Sequence, residues 1–270
     1  MSWLNQLIGA VSIAIMAVFF LAGEVGGRLI VIPLVWMFPR HRAAILRRWL
    51  FLGRDFIMTT LRVVGRARFD IRPRIPCEGG ILIVANHQSL VDIPVVYSCV
   101  PDGYPRIVSH ARYGRGVPLV SLTMKLCGGI LVQPGRTGRA ELEALRETAR
   151  DAVHPIVIFP EGHRTRDGEI RPWKRAGLEN FLSAREWTVH VLVIDGLWRA
   201  ARIPDFIRTI ATVECRAESA GTFTYDGRGR ANHDEFIDRL HRAMCAKLSE
   251  MRSAVRDAHN ETRSGEGAVK

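Results

Sequence analysis

Two short polar segments of this chain hold residue types that could do chemistry. In Asn86-His87-Gln88-Ser89-Leu90-Val91-Asp92 a histidine stands five positions before an aspartate. An imidazole titrates near neutral pH and can take the proton of a hydroxyl. A carboxylate on its other ring nitrogen would fix the tautomer and stabilise the imidazolium. In Phe159-Pro160-Glu161-Gly162-His163-Arg164-Thr165 an acid, a glycine and a cation follow one another. Gly162 lets the backbone turn tightly and Arg164 offers a planar fork for phosphate. Glu161 could orient that arginine or bond a substrate hydroxyl. Together the segments point to a base that activates a hydroxyl beside a pocket for an anion. Each alone has a plainer reading: His87 as a turn residue with Asp92 as a helix cap, and Glu161–Arg164 as a surface ion pair.

Both segments close apolar runs, residues 81–85 and 156–159, that read as buried strands ending in polar turns. Such strand ends are where open α/β sheets gather ligands. Further strands are expected at residues 69–71, 107–109, 130–133, 189–194 and 210–215, and helices notably at 141–153 and 173–184. This alternation predicts an α/β fold with a mixed, largely parallel sheet flanked by helices.

The two segments, in this order and each after an apolar run, resemble the glycerolipid acyltransferase family. Its pattern is Asn-His, four residues, Asp, followed by Phe-Pro-Glu-Gly-Thr-Arg. The first motif is intact over residues 86–92, and the second differs only at His163, where Thr is usual. The likeness covers roughly residues 60–215. Past the second motif, Pro172-Trp173-Lys174-Arg175-Ala176-Gly177 is similar to the family's aromatic, two basic residues and Gly-Ala, with the last two exchanged. Lys174 and Arg175 could hold a donor phosphate there, or simply begin a solvated helix.

The resemblance implies acyl transfer from a thioester to an alcohol by direct attack, without a Ser or Cys nucleophile. His87 is the expected base and Asp92 its partner. Glu161, Gly162, Arg164, Arg136 and Lys174 are the expected substrate-binding residues, and neither a metal nor a resident cofactor is expected. One departure bears on the acceptor. The family usually shows Gly, three apolar residues, Asp and an arginine that grips the acceptor phosphate. Here Gly129-Ile130-Leu131-Val132 runs into Gln133-Pro134-Gly135-Arg136, so Arg136 or Arg139 has to substitute from a turn. His110 stands where a lysine is usual after the third strand. An esterase is disfavoured because the Gly-x-Ser-x-Gly elbow is absent.

Charge and the chain ends suggest where this chemistry takes place. The formal net charge is +11, and four of the 38 basic residues are lysine. That balance fits a polyanionic partner, and arginine suits phosphate, although genomic base composition produces the same bias. No nucleic-acid motif or aromatic stacking set accompanies it. The five cysteines lack zinc-ligand spacing and fit a reducing compartment. Residues 7–23 hold no charge, a second apolar run covers 29–38, and Glu24, Gly26, Gly27 and Arg28 interrupt the two. This reads as a helical hairpin entering one leaflet, or as one short span followed by an interfacial helix. A signal peptide is disfavoured by the missing basic n-region. Residues 40–74 carry ten arginines against Asp55 and Asp70, interleaved with Ile45, Leu50, Phe51, Ile57, Met58 and Leu61 at helical spacing. An interfacial helix among anionic headgroups fits that pattern, and the positive-inside tendency places it toward the cytoplasm.

The expected organisation is therefore a membrane-associated helical hairpin and basic helix over residues 1–60, an α/β acyltransferase domain over 61–258, and a disordered tail over 259–270. An amphipathic helix over 232–258 should pack on the domain's flank. The expected function is O-acyl transfer from acyl-CoA or acyl-carrier protein to a lysophospholipid, lysophosphatidic acid first. Alternatives are another lysolipid, such as a lyso-amino-acid lipid, and a catalytically silent lipid-binding protein of the same fold. The expected partners are an anionic phospholipid membrane and these substrates, without nucleic acid. The expected location is the inner (cytoplasmic) membrane, with the catalytic domain facing the cytoplasm.

Overall fold

The computed structural model describes residues 3–133, 138–226 and 233–267. Its centre is a seven-stranded sheet. The strands are β1 (Arg68–Ile71), β2 (Ile81–Ala85), β3 (Arg106–His110), β4 (Ile130–Val132), β5 (Ile156–Ile158), β6 (Trp187–Asp195) and β7 (Glu214–Tyr225). They lie in the order β1-β7-β6-β2-β5-β3-β4, and every neighbouring pair is parallel except β6–β7. β2 and β5 are direct neighbours, with Ile83 opposite Val157 and Val84 opposite Ile158. That pairing brings the two polar segments to the same edge of the sheet, side by side. β7 departs from expectation. Residues 210–212 form a 3-10 turn, and the strand runs on to Tyr225 with a bulge opposite Val191/Leu192. Its sequence is polar and small because its outer face is open to solvent, so the apolar signal stops early.

Nine α-helices surround the sheet among the described residues: α1 (Trp3–Gly26), α2 (Ile32–Met37), α3 (Arg42–Val63), α4 (Asp92–Ser98), α5 (Val120–Leu126), α6 (Arg139–Arg150), α7 (Arg175–Leu182), α8 (Ile203–Thr209) and α9 (His233–Gly267). Alternation along the strands divides them. Leu82, Val84, Val189, Val191 and Val193 face a core shared with α6, α7 and α9. Ile81, Ile83, Ala85, Leu192 and Ile194 face a second core with α3, α4 and α8, against which α1 also packs. The chain leaves β2 into α4 on one face and leaves β5 into α7 on the other. This divergence of adjacent parallel strands opens a crevice at their carboxyl ends, where α/β sheets bind ligands.

A helical hairpin is present at the N-terminus, but its corner is elsewhere than expected. The chain stays helical from Trp3 to Met37, passing through a π-helical stretch at Gly27–Val31. Gly26, Gly27, Glu24 and Arg28 do not interrupt it: Gly27 and Glu24 dock it, Arg28 pairs with Glu24, and Gly26 lies in open space. A Cβ at Gly27 would collide with Leu122, and one at Gly23 would press on Leu119. The turn comes at Pro39–His41, and α3 then returns antiparallel. Phe19 stacks on Phe56 at 4.0 Å between ring centroids, while Gly27 faces Trp49. α3 also differs in role. Leu46, Leu50, Met58 and Leu61 are buried, so its apolar stripe covers protein rather than lipid. The C-terminal helix packs on the flank as expected, through Phe236, Leu240, Met244, Leu248 and Met251. It continues to Gly267, so most of the tail expected to be disordered is helical.

Candidate active site

The first motif folds back on itself around one carboxylate. Asn86 leaves β2 with its side chain still in the sheet: Nδ2 donates to the Ile194 carbonyl, and Oδ1 accepts from the Ile194 N–H. The amide thus prolongs the ladder by one step and aims His87 out of the strand end. The His87 Nδ1–H donates to Asp92 Oδ2 at 2.6 Å. The same oxygen accepts the Gln88 and Ser89 backbone N–H groups at 2.6 and 2.8 Å. Three donors on one oxygen require a carboxylate, so the hydrogen belongs on Nδ1 and Nε2 keeps its lone pair. The His87 side chain is 18% exposed, while Asp92 is fully buried. Asp92 Oδ1 has no hydrogen-bond partner among the described residues. The carboxylate thus fixes the orientation of the ring and the tautomer that leaves Nε2 to act as a base.

The second motif grips the first. Glu161, with no exposed surface, accepts the His87 N–H on Oε1 at 2.9 Å and the Arg171 N–H on Oε2 at 3.0 Å. The His87 carbonyl accepts the Thr165 N–H at 2.8 Å, and the His87 ring stacks on Phe159 at 4.4 Å. Every polar backbone atom of the base is therefore held from the neighbouring strand end. Burial pushes the Glu161 carboxyl above its ordinary range against the pull of those two N–H groups. Glu161 thus neither orients Arg164 nor faces a substrate hydroxyl, since both of its oxygens are occupied in the interior. Gly162 sits at φ +72°, and a Cβ there would meet the Lys174 ammonium at 2.8 Å. The bare backbone lets Lys174 lie across the turn, at the mouth of the crevice.

Residues 66–194 match the family model "Acyltransferase". A mouse (Mus musculus) 1-acyl-sn-glycerol-3-phosphate acyltransferase alpha is 28% identical over 128 residues, 46% of this chain and 42% of that protein. A Cocos nucifera 1-acyl-sn-glycerol-3-phosphate acyltransferase is 28% identical over 107 residues, 38% of this chain and 34% of the relative. The matched stretch thus spans less than half of either. Over this stretch the chain thus resembles acyltransferases, as its two motifs implied. Its fold is also that of the crystal structure of the 1-acyl-sn-glycerophosphate (LPA) acyltransferase PlsC from Thermotoga maritima. The TM-score is 0.63 at 19% identity, over 92% of this chain and 96% of that one.

Within the family pattern, the cations sort into available and engaged. Arg164 is half-buried and spends one N–H on the Ala201 carbonyl at 2.6 Å, which leaves most of its fork free. Lys174 is exposed, with its backbone N–H on the Pro160 carbonyl. Arg175 is engaged, because Asp234 and Asp238 on α9 hold its guanidinium. The departing His163 donates from Nδ1 to the Glu161 carbonyl oxygen at 2.8 Å, and so shapes its own turn. His110 is a cap as well, with Nδ1 accepting the Arg112 N–H. Arg136 lies outside the described residues, and Arg139 opens α6. Motif spacing alone missed the residues that brace His87: Asn86, Gln88, Phe159, Thr165 and Asp195. The long-range contacts by which they do so join positions 72 to 110 apart along the chain, several of them through backbone atoms.

Proposed function

We propose that this protein moves a fatty acyl group from acyl-CoA or acyl-carrier protein to a hydroxyl of a lysophospholipid. Lysophosphatidic acid, giving phosphatidic acid, is the first candidate. The observation that carries this reading is the buried Asp92 carboxylate at 2.6 Å from His87 Nδ1, with Nε2 left bare at the crevice mouth. Nε2 takes the hydroxyl proton as the oxygen attacks the thioester carbonyl. The tetrahedral oxyanion collapses, the C–S bond breaks, and the leaving thiolate recovers the proton from the imidazolium. One C–O bond replaces one C–S bond, and no acyl-enzyme is required. Arg164 and Lys174 flank the base and suit the acceptor phosphate and the donor's anionic groups. The names of the two sequence relatives support lysophosphatidic acid as acceptor.

The same reading places the protein on a membrane by its N-terminal arm. Within Trp3–Met37 the most apolar 18-residue window has a mean hydropathy of 2.2, and 17% of it is buried. Trp3, Val18, Leu21, Val25, Leu29 and Trp36 face outward. The arm is docked at Gly9 on the Ile207 carbonyl and at Gly27 on Leu122, sites about 27 Å apart along a helix. A helix held along the domain at both points lies in the leaflet rather than across it. The arginines of α3 then face anionic headgroups on the cytoplasmic side of the inner membrane. The test is direct. Purified protein in lipid nanodiscs is given labelled acyl-CoA or acyl-carrier protein with a panel of lysolipids, and products are read by mass spectrometry. Acylated lysophosphatidic acid is expected from wild type and not from His87→Ala. Equal product from both would sink the mechanism.

A further inference from the structure

One side chain that braces the surroundings of both motifs comes from outside the family-matched stretch. Arg252 stands on α9, beyond residue 194 where that match ends. Its Nε donates to Asp195 Oδ2 at 3.0 Å and Nη2 to Asp195 Oδ1 at 3.1 Å. Nη2 also reaches the Gly168 carbonyl at 2.9 Å, and Nη1 reaches Glu169 at 2.7 Å. Asp195 Oδ1 in turn accepts Gln88 Nε2 at 3.2 Å, and Gln88 Oε1 accepts the Leu197 and Trp198 N–H groups at 3.0 and 3.2 Å. Gln88 is fully buried, follows His87, and gives its own N–H to the Asp92 carboxylate. From Arg252 to the base is therefore a chain of three side chains: Asp195, Gln88, Asp92.

The second branch reaches the other motif. Gly168 and Glu169 belong to the turn that leads to Arg171, whose N–H holds Glu161, which holds the His87 N–H. Gly168 sits at φ +81°, and a Cβ there would meet Arg252 Nη2 at 2.6 Å and the Trp198 ring at 2.7 Å. The missing side chain is what lets the guanidinium approach the backbone. One planar fork thus joins Asp195 at the end of β6, the partner of Gln88, to the loop that follows the second motif. Arginine can do this because its donors are spread over three nitrogens, whereas a lysine ammonium concentrates three donors on one atom.

We propose that Arg252 is a positioning residue for the base, making the C-terminal helix part of the active-site scaffold. The fold does not need this contact. Leu240, Met244, Leu248 and Met251 already seat α9 on the sheet, while the Arg252 side chain remains 27% exposed. Its function is the relative placement of two polar loops. The proposal rests on the acyltransferase reading above for its kinetic arm alone.

The experiment compares wild type, Arg252→Ala, Arg252→Lys and Asp195→Asn in nanodiscs. Readouts are kcat, both KM values, melting temperature, and the NMR signal of the His87 Nδ1 proton on Asp92. Arg252→Ala should lower kcat by about 10-fold or more, since small displacements of catalytic groups have effects of that order or larger. Both KM values should stay within threefold and melting should change little. Arg252→Lys should rescue poorly, and Asp195→Asn should resemble Arg252→Ala. In all three variants the His87 proton signal should shift or broaden. Activity per folded molecule unchanged in Arg252→Ala, or fully restored in Arg252→Lys, together with an unmoved His87 signal, would overturn the proposal. If wild type acylates no lysolipid, the functional reading fails, while the NMR arm still decides whether Arg252 sets the geometry of the pair.

Discussion

The strand-end loops and the N-terminal hairpin are held to the sheet by opposite means. In the loops, Asn86, Gln88, Asp92, Glu161 and Thr165 are each 1% exposed or less, and directed hydrogen bonds hold them. In the hairpin, the first arm docks by close approach of Gly9 to the Ile207 backbone and of Gly23 and Gly27 to Leu119 and Leu122, with one carboxylate contact from Glu24. Arg42, Arg47 and Arg54 of the second arm reach backbone carbonyls mostly from the surface. Hydrogen bonds fix both distance and angle, and buried ones penalise any mismatch of donor and acceptor. Apolar docking fixes distance alone and is indifferent to which apolar atoms supply it. The region that does chemistry is thus built for geometry. The region that meets lipid is built for proximity. Each substitution below breaks or sharpens that contrast.

The largest effect belongs to the base and its partner. His87→Ala should lower turnover by about 10²-fold or more while leaving the fold intact, because its ring is at the surface of the crevice. Asp92→Asn should be nearly as damaging because the charge is lost. It should also destabilise, since an amide that keeps its oxygen on the Gln88 and Ser89 N–H groups buries its NH2 where Oδ1 has no partner. Steady-state kinetics with melting curves checks both. His87→Ala within threefold of wild type would end the reading of these loops as catalytic.

Glu161→Gln comes next and tests directionality. An amide can satisfy one of the two N–H groups that Glu161 accepts, and it points a donor at the other. A buried donor without an acceptor costs about 1–3 kcal/mol, measurable as a shift in the denaturation midpoint. The pH dependence adds a second check. Burial raises the folded-state Glu161 carboxyl above its unfolded value. Its linkage contribution is thus fully present below the ordinary carboxylate range and is lost as pH rises through the raised value. Wild-type stability relative to Glu161→Gln should therefore decline across that window. A flat difference would mean that Glu161 ionises as in solution.

The hairpin should respond to volume instead. A methyl at Gly9 runs into the Ile207 backbone carbonyl, which cannot swing aside as a side chain would. Gly9→Ala should destabilise by about 1–3 kcal/mol, the usual range for overpacking. It should expose the α1–α8 seam to protease while leaving membrane flotation unchanged. Unaltered protease resistance would show that the helix is not seated there.

How much of this was legible follows from the same contrast. β2 and β5 were readable because five and three buried apolar residues in a row can do little else, and the polar turns beyond them carried the base. The role of Glu161 was not readable, because its partners are the backbone N–H of His87 and of Arg171, and backbone atoms leave no signature in residue type. Arg252 was hidden for a related reason. On an amphipathic helix, an arginine in the polar stripe reads as solvated. Around Glu24–Arg28, composition misled outright: glycines and charges lower hydropathy and look like a break. Here Gly27 and Glu24 are among the contacts by which a long apolar helix docks. β7 was cut short in the reading because its outward residues are polar.

The smallest effect concerns the carboxylate contact of the hairpin's first arm. Leu119 has φ +61° and ψ −44°, and the Val120 N–H donates to the Pro118 carbonyl at 2.7 Å. That is a γ-turn of the rare, strained hand, formed here by a residue with a branched side chain. Its N–H points to Glu24 Oε2 at 2.8 Å, and Arg28 holds the other Glu24 oxygen. A strained turn persists only where its surroundings over-determine it, and the Glu24 carboxylate is the polar part of those surroundings. Glu24→Ala should therefore cost about 0.5–1.5 kcal/mol, as for a typical hydrogen bond. In a Leu119→Gly background, where the backbone adopts this turn without strain, the same change should cost less. A double-mutant cycle on denaturation midpoints measures the difference directly. Strict additivity would mean that Glu24 holds the helix without holding the turn.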